Sequence, residues 1–243
     1  MANDYKPFFE NMTPEAYLSE GFTGNTEAEV AFLEEALGLR PGTHLLDMGC
    51  GPGRHSLALA ERGFQVTGVD FTPQFIEYAA AKAAERNVAK KTEFVLADAR
   101  EFVRPLTFDG AICVCEGAFA LLAEDADNRK VLKNIADSLK NGAQLVLTTL
   151  NGYRSIRRAG TDGETTLDPI TMVETWNPAT QGGDAIREPL PGRHYIVPEL
   201  IAMHRECGLT VLHVWGGTAG NWNRQPLDWD EMEIMLVSRK IPQ

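Results

Sequence analysis

His44–Gly63 reads HLLDMGCGPGRHSLALAERG. A short apolar run ends in an acidic residue, glycines follow at 49, 51 and 53, and an Ala/Leu-rich segment begins directly after them. This order predicts a buried strand, a tight turn and a helix, because glycine tolerates positive φ and lets a ligand approach the backbone with no Cβ in the way. A dinucleotide would place its pyrophosphate at the helix N-terminus and usually calls for G-x-G-x-x-G. Here Gly49 and Gly51 are followed by Arg54, and counting from Gly51 gives Gly51, Gly53 and Ser56. Asp47, two residues before the first glycine, suits the α-amino group of a ligand better than a phosphate. The register therefore favours an aminoacyl nucleoside over NAD.

Outward from this turn, short β-rich runs alternate with helical ones, the pattern of an α/β protein with a parallel sheet. The expected strands are THLLDMG, FQVTGVD, TEFVLAD, FDGAICVCE, AQLVLTTL, LTVLHVW and EIMLVSRK. Their nearly continuous apolar character implies burial on both faces. Thr72 and Pro73 open a helix that carries Phe75, Ala79 and Ala83 on one side and closes near Asn87. Val131, Ile135 and Leu139 mark an amphipathic helix from Asp125 to Asn141, and PELIAMHREC is a third. Ahead of the first strand, Thr26 and Glu29 have capping-box spacing for a helix running to about Leu37. Phe8, Phe9, Tyr17 and Phe22 lie in an earlier stretch that reads as a docked helix or a lid.

The alternation stops after Leu150. Gly, Pro and Thr clusters with β-like runs, MVETWN and RHYIV, fill Asn151 to Val197 and predict an insertion over one end of the sheet. A single domain is expected, with residues 1–42 as an N-terminal helical cap, 43–150 as the ligand-binding core, 151–197 as the insertion and 198–243 completing the sheet.

The chain has 243 residues, 23 basic and 34 acidic side chains and a formal charge of -11. Such a balance repels phosphate backbones and anionic membrane surfaces, so neither nucleic acid nor a membrane is an expected partner. The opening residues MANDYKPFFE contain no apolar core of signal-peptide length, and Gly110–Ala123 is too short to span a bilayer. Cys50, Cys113, Cys115 and Cys207 are too scattered for a disulfide framework. Cys113-x-Cys115 also lacks a second pair at zinc spacing, so reduced thiols, a cytoplasmic location and no metal are expected.

The run D-M-G-C-G-P-G at 47–53 resembles motif I of the class I S-adenosylmethionine-dependent methyltransferases. Three further features follow in that family's order between Thr26 and Leu150. VTGVDFT ends a strand in Asp70, whose counterpart in the family binds the two ribose hydroxyls. VLADA places Asp98, with Ala99 beside it, where the family's acidic residue receives the adenine amino group. FDGAICVCEGAFALL resembles motif IV, whose C-terminal end faces the transferable methyl. The resemblance implies a Rossmann-like doubly wound sheet of seven strands, mostly parallel with the last antiparallel, S-adenosyl-L-methionine as cofactor, and a small-molecule methyl acceptor. It assigns cofactor contacts to Asp47, Gly49, Cys50, Gly51, Gly53, Asp70, Phe71, Asp98, Ala99 and Cys115, with Tyr17 closing over them.

Methyl transfer from a sulfonium is an in-line displacement that alignment and desolvation can largely drive, with a general base where the acceptor must lose a proton. Glu116, at the end of an apolar strand, is the first candidate base; the alternative is a cap or an arginine partner. It departs from the Asn/Asp-Pro-Pro-Tyr/Phe form of motif IV found in many amino methyltransferases of nucleic acids and proteins. His194 and Tyr195 in the insertion are further candidates, although HYIV also reads as ordinary sheet. His55 is read as a packing or cofactor-pocket residue. YRSIRR at 153–158 carries three arginines and suggests an anionic acceptor, against the alternative of a solvated helix face. Trp215, Trp222 and Trp229 could form an aromatic wall. An NAD(P)-dependent oxidoreductase would share the glycine turn and Asp70 but leaves Asp47 and Asp98 unexplained, and a non-catalytic S-adenosylmethionine-binding module would share the whole pocket.

Overall fold

A computed structural model describes residues 5–161, 165–176 and 190–242 of the chain. Two short helices, α1 (Lys6–Glu10) and α2 (Pro14–Leu18), and a 3-10 turn at Gly21–Thr23 lead into α3 (Thr26–Leu37). The core then runs β1 (His44–Met48), α4 (Arg54–Glu61), β2 (Gln65–Asp70), α5 (Pro73–Glu85), β3 (Thr92–Leu96), β4 (Phe108–Cys113), α6 (Asp125–Ser138) and β5 (Leu139–Leu150). After α7 (Gly152–Arg158) come β6 (Thr165–Leu167), β7 (Val173–Trp176) and β8 (Leu190–Arg193), then α8 (Val197–Glu206), β9 (Leu209–Gly217) and β10 (Glu233–Lys240).

All seven strands expected from the sequence join one sheet in the order β3-β2-β1-β4-β5-β10-β9. Six run parallel, and β10 is inserted antiparallel between β5 and β9. Side chains alternate between the faces at the strand period of two. Leu45, Ile112 and Val146 pack with α3, α4 and α5 on one face. Their neighbours Leu46, Cys113 and Leu147 pack with α6 and α8 on the other. Each fully buried leucine or isoleucine in these layers contributes roughly 1.5–3 kcal/mol. The direction of strand order reverses between β1 and β4, so a crevice opens at their C-terminal ends, the usual ligand position in open α/β sheets.

The insertion is β-rich where it is described: β6, β7 and β8 form a separate antiparallel sheet. Residues 162–164 and 177–189 of it lie outside the described residues. RHYIV is not one strand, because β8 ends at Arg193 and Tyr195 makes only an isolated bridge to Asn151. The N-terminal stretch is a strap of short helices fastened to α5. Gln74 Nε2 lies 3.0, 2.9 and 3.2 Å from the carbonyls of Phe9, Glu10 and Met12.

Three local expectations need correction. Thr26 and Glu29 form no capping box: the residue before α3 is Asn25, and the Glu29 carboxylate turns inward to Arg54 and His55. Asp125 begins α6, but the helix stops at Ser138, and Leu139 belongs to β5, which continues through Asn141 and Gly142. Thr72 precedes α5 without a side-chain cap, and its N–H donates instead to Asp70.

Among the described residues no helix is long and apolar enough to cross a membrane. Two buried histidines make the fold acid-sensitive. His204 packs its Nδ1 2.7 Å from the Leu200 carbonyl, and His194 packs its Nδ1 2.6 Å from Ser155 Oγ. Burial pushes both from the ordinary 6.5 down to about 4. They stay neutral in the folded chain, whereas the unfolded chain takes up protons below the ordinary value. Their contribution to stability is therefore full above about pH 6.5 and is lost as the pH drops toward 4, by roughly 3 kcal/mol per histidine at the acid end. In urea melts at pH 7.5, 6 and 5, the unsubstituted chain should lose more stability toward acid than a His194→Gln/His204→Gln double variant does. The same pH dependence in the two proteins contradicts it.

Candidate active site

The crevice between β1 and β4 widens into a cavity of about 390 Å³. This lies within the range of small-molecule sites. The glycine turn forms its floor. Gly49 and Gly51 line it with φ of 76° and 54°, in the left-handed region where a side chain is strained. A Cβ on Gly49 would stand 1.9 Å from the Gly117 carbonyl oxygen, so the turn after β1 and the exit of β4 are pressed backbone to backbone. Gly53 does not reach the cavity wall; it sits before α4 with φ 82°, where a Cβ would meet Ala79.

At the end of β2, Asp70 faces this floor. Its Oδ2 accepts the Gly51 N–H at 2.9 Å and its Oδ1 accepts the Thr72 N–H at 2.8 Å. Burial pushes the carboxyl up while these two N–H groups pull it down. Each oxygen keeps a lone pair free for a further donor. Phe71 follows on the wall and is shared with a second, narrow cavity of about 30 Å³ that contains Asp98 and Ala99. There the Asp98 carboxylate is gripped by Arg100, whose guanidinium holds it below the usual carboxylate range.

The opposite wall comes from the strap and the insertion. Tyr17 stands 3.6 Å from the position a Cβ on Gly51 would take and packs edge-on against Phe75. Phe8, Phe9 and Phe22 add apolar faces, and Trp176 of β7 meets Phe8 edge-on at 6.3 Å. Trp176, Phe9 and Met12 join a site made otherwise from the β1–β4 crevice. Nothing in the sequence near the glycine turn points to them, because only the folding of the strap and of β7 over that crevice brings them there.

Behind the cavity lies a buried charge network. Glu29, 1% exposed, accepts hydrogen bonds from Arg54 and, at 2.7 Å, from His55. Burial pushes the Glu29 carboxyl up, but the His55 hydrogen bond and the Arg54 charge outweigh it and hold the group below its ordinary value. Arg54 also reaches Cys115 Sγ at 3.1 Å, and burial keeps that thiol far above its ordinary value. Glu29, His55 and Cys115 present ligand atoms within 4.8 Å of one another, a possible metal cluster. The Arg54 guanidinium already stands against two of the three, so an added cation would have to displace it. His55 thus acts as a packing residue: it stacks on Trp222, whose Nε1 donates to Glu233 at 3.0 Å. Glu233, at the start of β10, meets Glu116, which lines the cavity. Burial and the neighbouring carboxyl push Glu116 well above its ordinary value.

Several expected site residues fall elsewhere. Asp47 is buried behind the turn and accepts the Ser56 hydroxyl at 2.6 Å instead of facing the cavity. Cys50 is likewise buried, its thiol near the Gly51 carbonyl. His194 is held by Ser155, away from the lining, and cannot serve as a base there. Tyr195 is fully buried, stacks on Phe119 and donates to Asp125 at 2.8 Å, so it too is structural. The three tryptophans form no common wall: Trp215 packs on Phe32, Trp222 on His55, and Trp229, 59% exposed, on Tyr153. YRSIRR forms α7 at the surface, with Arg157 paired to Asp230 and Arg154 against Met232, and contributes nothing to the cavity.

Comparison with known proteins places this geometry. A family described as a methyltransferase domain matches residues 45–142. A cypemycin N-terminal methyltransferase from Streptomyces sp is 31% identical over 212 residues, covering 81% of this chain and 82% of that protein. A ubiquinone biosynthesis O-methyltransferase from Idiomarina loihiensis is 34% identical over 110 residues, covering 45% of this chain; the chain spans only 43% of that relative's length. Among solved structures, the 1,6-didemethyltoxoflavin-N1-methyltransferase of Burkholderia thailandensis, with bound 1,6-didemethyltoxoflavin and S-adenosylhomocysteine, shares the fold with a TM-score of 0.61. It is 20% identical, and the alignment covers 94% of this chain and 82% of that one.

Proposed function

Because the chain belongs to the S-adenosylmethionine-dependent methyltransferase family, we propose that it moves the sulfonium methyl of S-adenosyl-L-methionine to a small-molecule acceptor in the aromatic cavity between β1 and β4. The observation that carries this reading is Asp70. It closes β2, is held by two backbone N–H groups, and faces the same space as the glycine turn. A carboxylate fixed in that way is oriented for the vicinal hydroxyls of a ribose. The amino-acid tail would lie along the glycine turn, where Gly49 and Gly51 line the cavity. Asp98 and Ala99 mark the adenine end beyond Phe71, and Cys115 and Glu116 stand at the methyl end.

The cofactor supplies an electrophilic methyl on a good leaving group. The chain's own part is alignment and exclusion of water. Tyr17, Phe9, Phe22 and Trp176 enclose the space in which the acceptor must lie in line with the methyl. Glu116 is the group placed to take a proton from the acceptor. Four unpaired cysteines accord with work in the reducing cytosol.

Calorimetric titration tests the reading. The chain should bind S-adenosylhomocysteine with a micromolar Kd and give no heat with NADH at the same concentrations. Binding of NADH with no heat from S-adenosylhomocysteine would replace this function with hydride transfer.

A further inference from the structure

The cavity has a consistent sign. The charge-bearing side chains among its described lining residues are Glu20, Asp70 and Glu116, with no lysine or arginine among them. Arg54 reaches the wall at Cys115 from behind, and Glu29 already neutralises it. Half of the other lining residues are aromatic. With Asp70 given to the ribose of the cofactor, an anionic acceptor, as the arginines of α7 suggested, would still have to place its charge in a cavity whose other charge-bearing lining residues are Glu20 and Glu116. Aromatic faces with a carboxylate between them favour a cation instead.

The backbone is bent to present Glu116. Cys115 and Glu116 both adopt the left-handed region, with φ of 54° and 50°. Two consecutive residues other than glycine there cost about 1–2 kcal/mol each and persist only where surrounding structure enforces them. Thr148 Oγ1 enforces them by accepting the Cys115 N–H at 2.8 Å. Glu116 Oε1 and Glu233 Oε1 are both buried and receive no N–H or O–H donor from another residue. Glu233 stands near enough for its charge to push the Glu116 carboxyl up. Burial holds both carboxyls above their ordinary range, and the neighbouring charge adds to this at Glu116, which favours keeping a proton on the pair.

We propose that the acceptor is a protonatable amine on an apolar body, and that the Glu116–Glu233 pair binds its ammonium form and takes the proton it must lose. This rests on the methyltransferase reading above. The ammonium R–NH3+ gives one proton to the pair, which then carries two. The freed nitrogen lone pair forms the C–N bond, the C–S bond breaks, and its electron pair stays on sulfur. The product leaves as R–NH2–CH3+, and the pair returns its extra proton to water. Glu116 touches the acceptor, whereas Glu233 acts through it and is a positioning residue.

The test uses the full chain loaded with S-adenosylhomocysteine. A panel of arylalkyl amines is titrated beside the alcohols and carboxylic acids of the same carbon skeletons, and each is then offered with labelled S-adenosylmethionine. Amines should bind and be methylated, with alcohols and acids at least tenfold weaker. Glu116→Gln should weaken amine binding about 30-fold while the Kd for S-adenosylhomocysteine stays within twofold. Glu233→Gln, whose amide can still donate to Glu116, should keep KM for the amine and lower kcat, a split that a merely structural role would not produce. Alcohols or acids binding as well as amines, no binding by any amine, or unchanged amine affinity in Glu116→Gln overturns the proposal. Equal weakening of S-adenosylhomocysteine by Glu116→Gln assigns the pair to the cofactor and also overturns it. Failure of the unsubstituted chain to bind S-adenosylhomocysteine at all rejects the methyltransferase reading itself.

Discussion

Asp70→Ala is expected to weaken S-adenosylhomocysteine binding about a thousandfold in calorimetry. Two hydrogen bonds from ribose hydroxyls to a carboxylate contribute roughly 1.5–3 kcal/mol each, and the alanine removes both. The fold also bears part of the cost, because the N–H groups of Gly51 and Thr72 lose their acceptor. A buried donor left without a partner costs about 1–3 kcal/mol, so the melting temperature should fall by several degrees as well. Asp70→Asn separates the two effects: it keeps one acceptor oxygen for the turn but sets an amide NH2 against another donor. Affinity unchanged in Asp70→Ala would remove this residue from the cofactor site.

Glu29→Ala carries the largest expected stability loss. It would leave the Arg54 guanidinium, itself only 8% exposed, without its counter-charge inside the protein. Breaking one side of a buried ion pair typically costs about 3–5 kcal/mol. For a chain of this length each kcal/mol lowers the melting temperature by about 2–4 °C, so a drop of about 10 °C is expected by calorimetry. The double variant Glu29→Ala/Arg54→Met should recover much of it, because the charge left unpaired is removed with its partner. A single variant that loses less than 1 kcal/mol would mean that water reaches Arg54.

The residues that proved legible in the sequence share a physical property: their role follows from chain geometry within one strand–turn–helix unit. The glycines after β1 and Asp70 at the end of β2 are placed by the parallel sheet itself, so their spacing carried their position. Continuous apolar strands likewise announced a sheet covered on both faces. Residues whose position depends on distant segments were not legible. Glu29 had capping-box spacing, yet the pull of Arg54 and His55, both on α4, decides its orientation. Glu233 opens the last strand and meets Glu116 only because β10 inserts beside β5. His194 and Tyr195 had the right chemistry for a base, but packing against Ser155 and Asp125 turns them away from the cavity. The three arginines of α7 lie away from the cavity lining for a similar reason: a basic run shows its charge without showing which way its helix faces.

The Gln74 amide has two hydrogens, yet the carbonyls of Phe9, Glu10 and Met12 all crowd onto it. A clasp with more claimants than protons can yield them one by one, each released oxygen finding a water molecule before the next lets go. One amide of α5 thus gathers three backbone oxygens of the strap, beside the rings of Phe9 and Tyr17 that rest on Phe75 of the same helix.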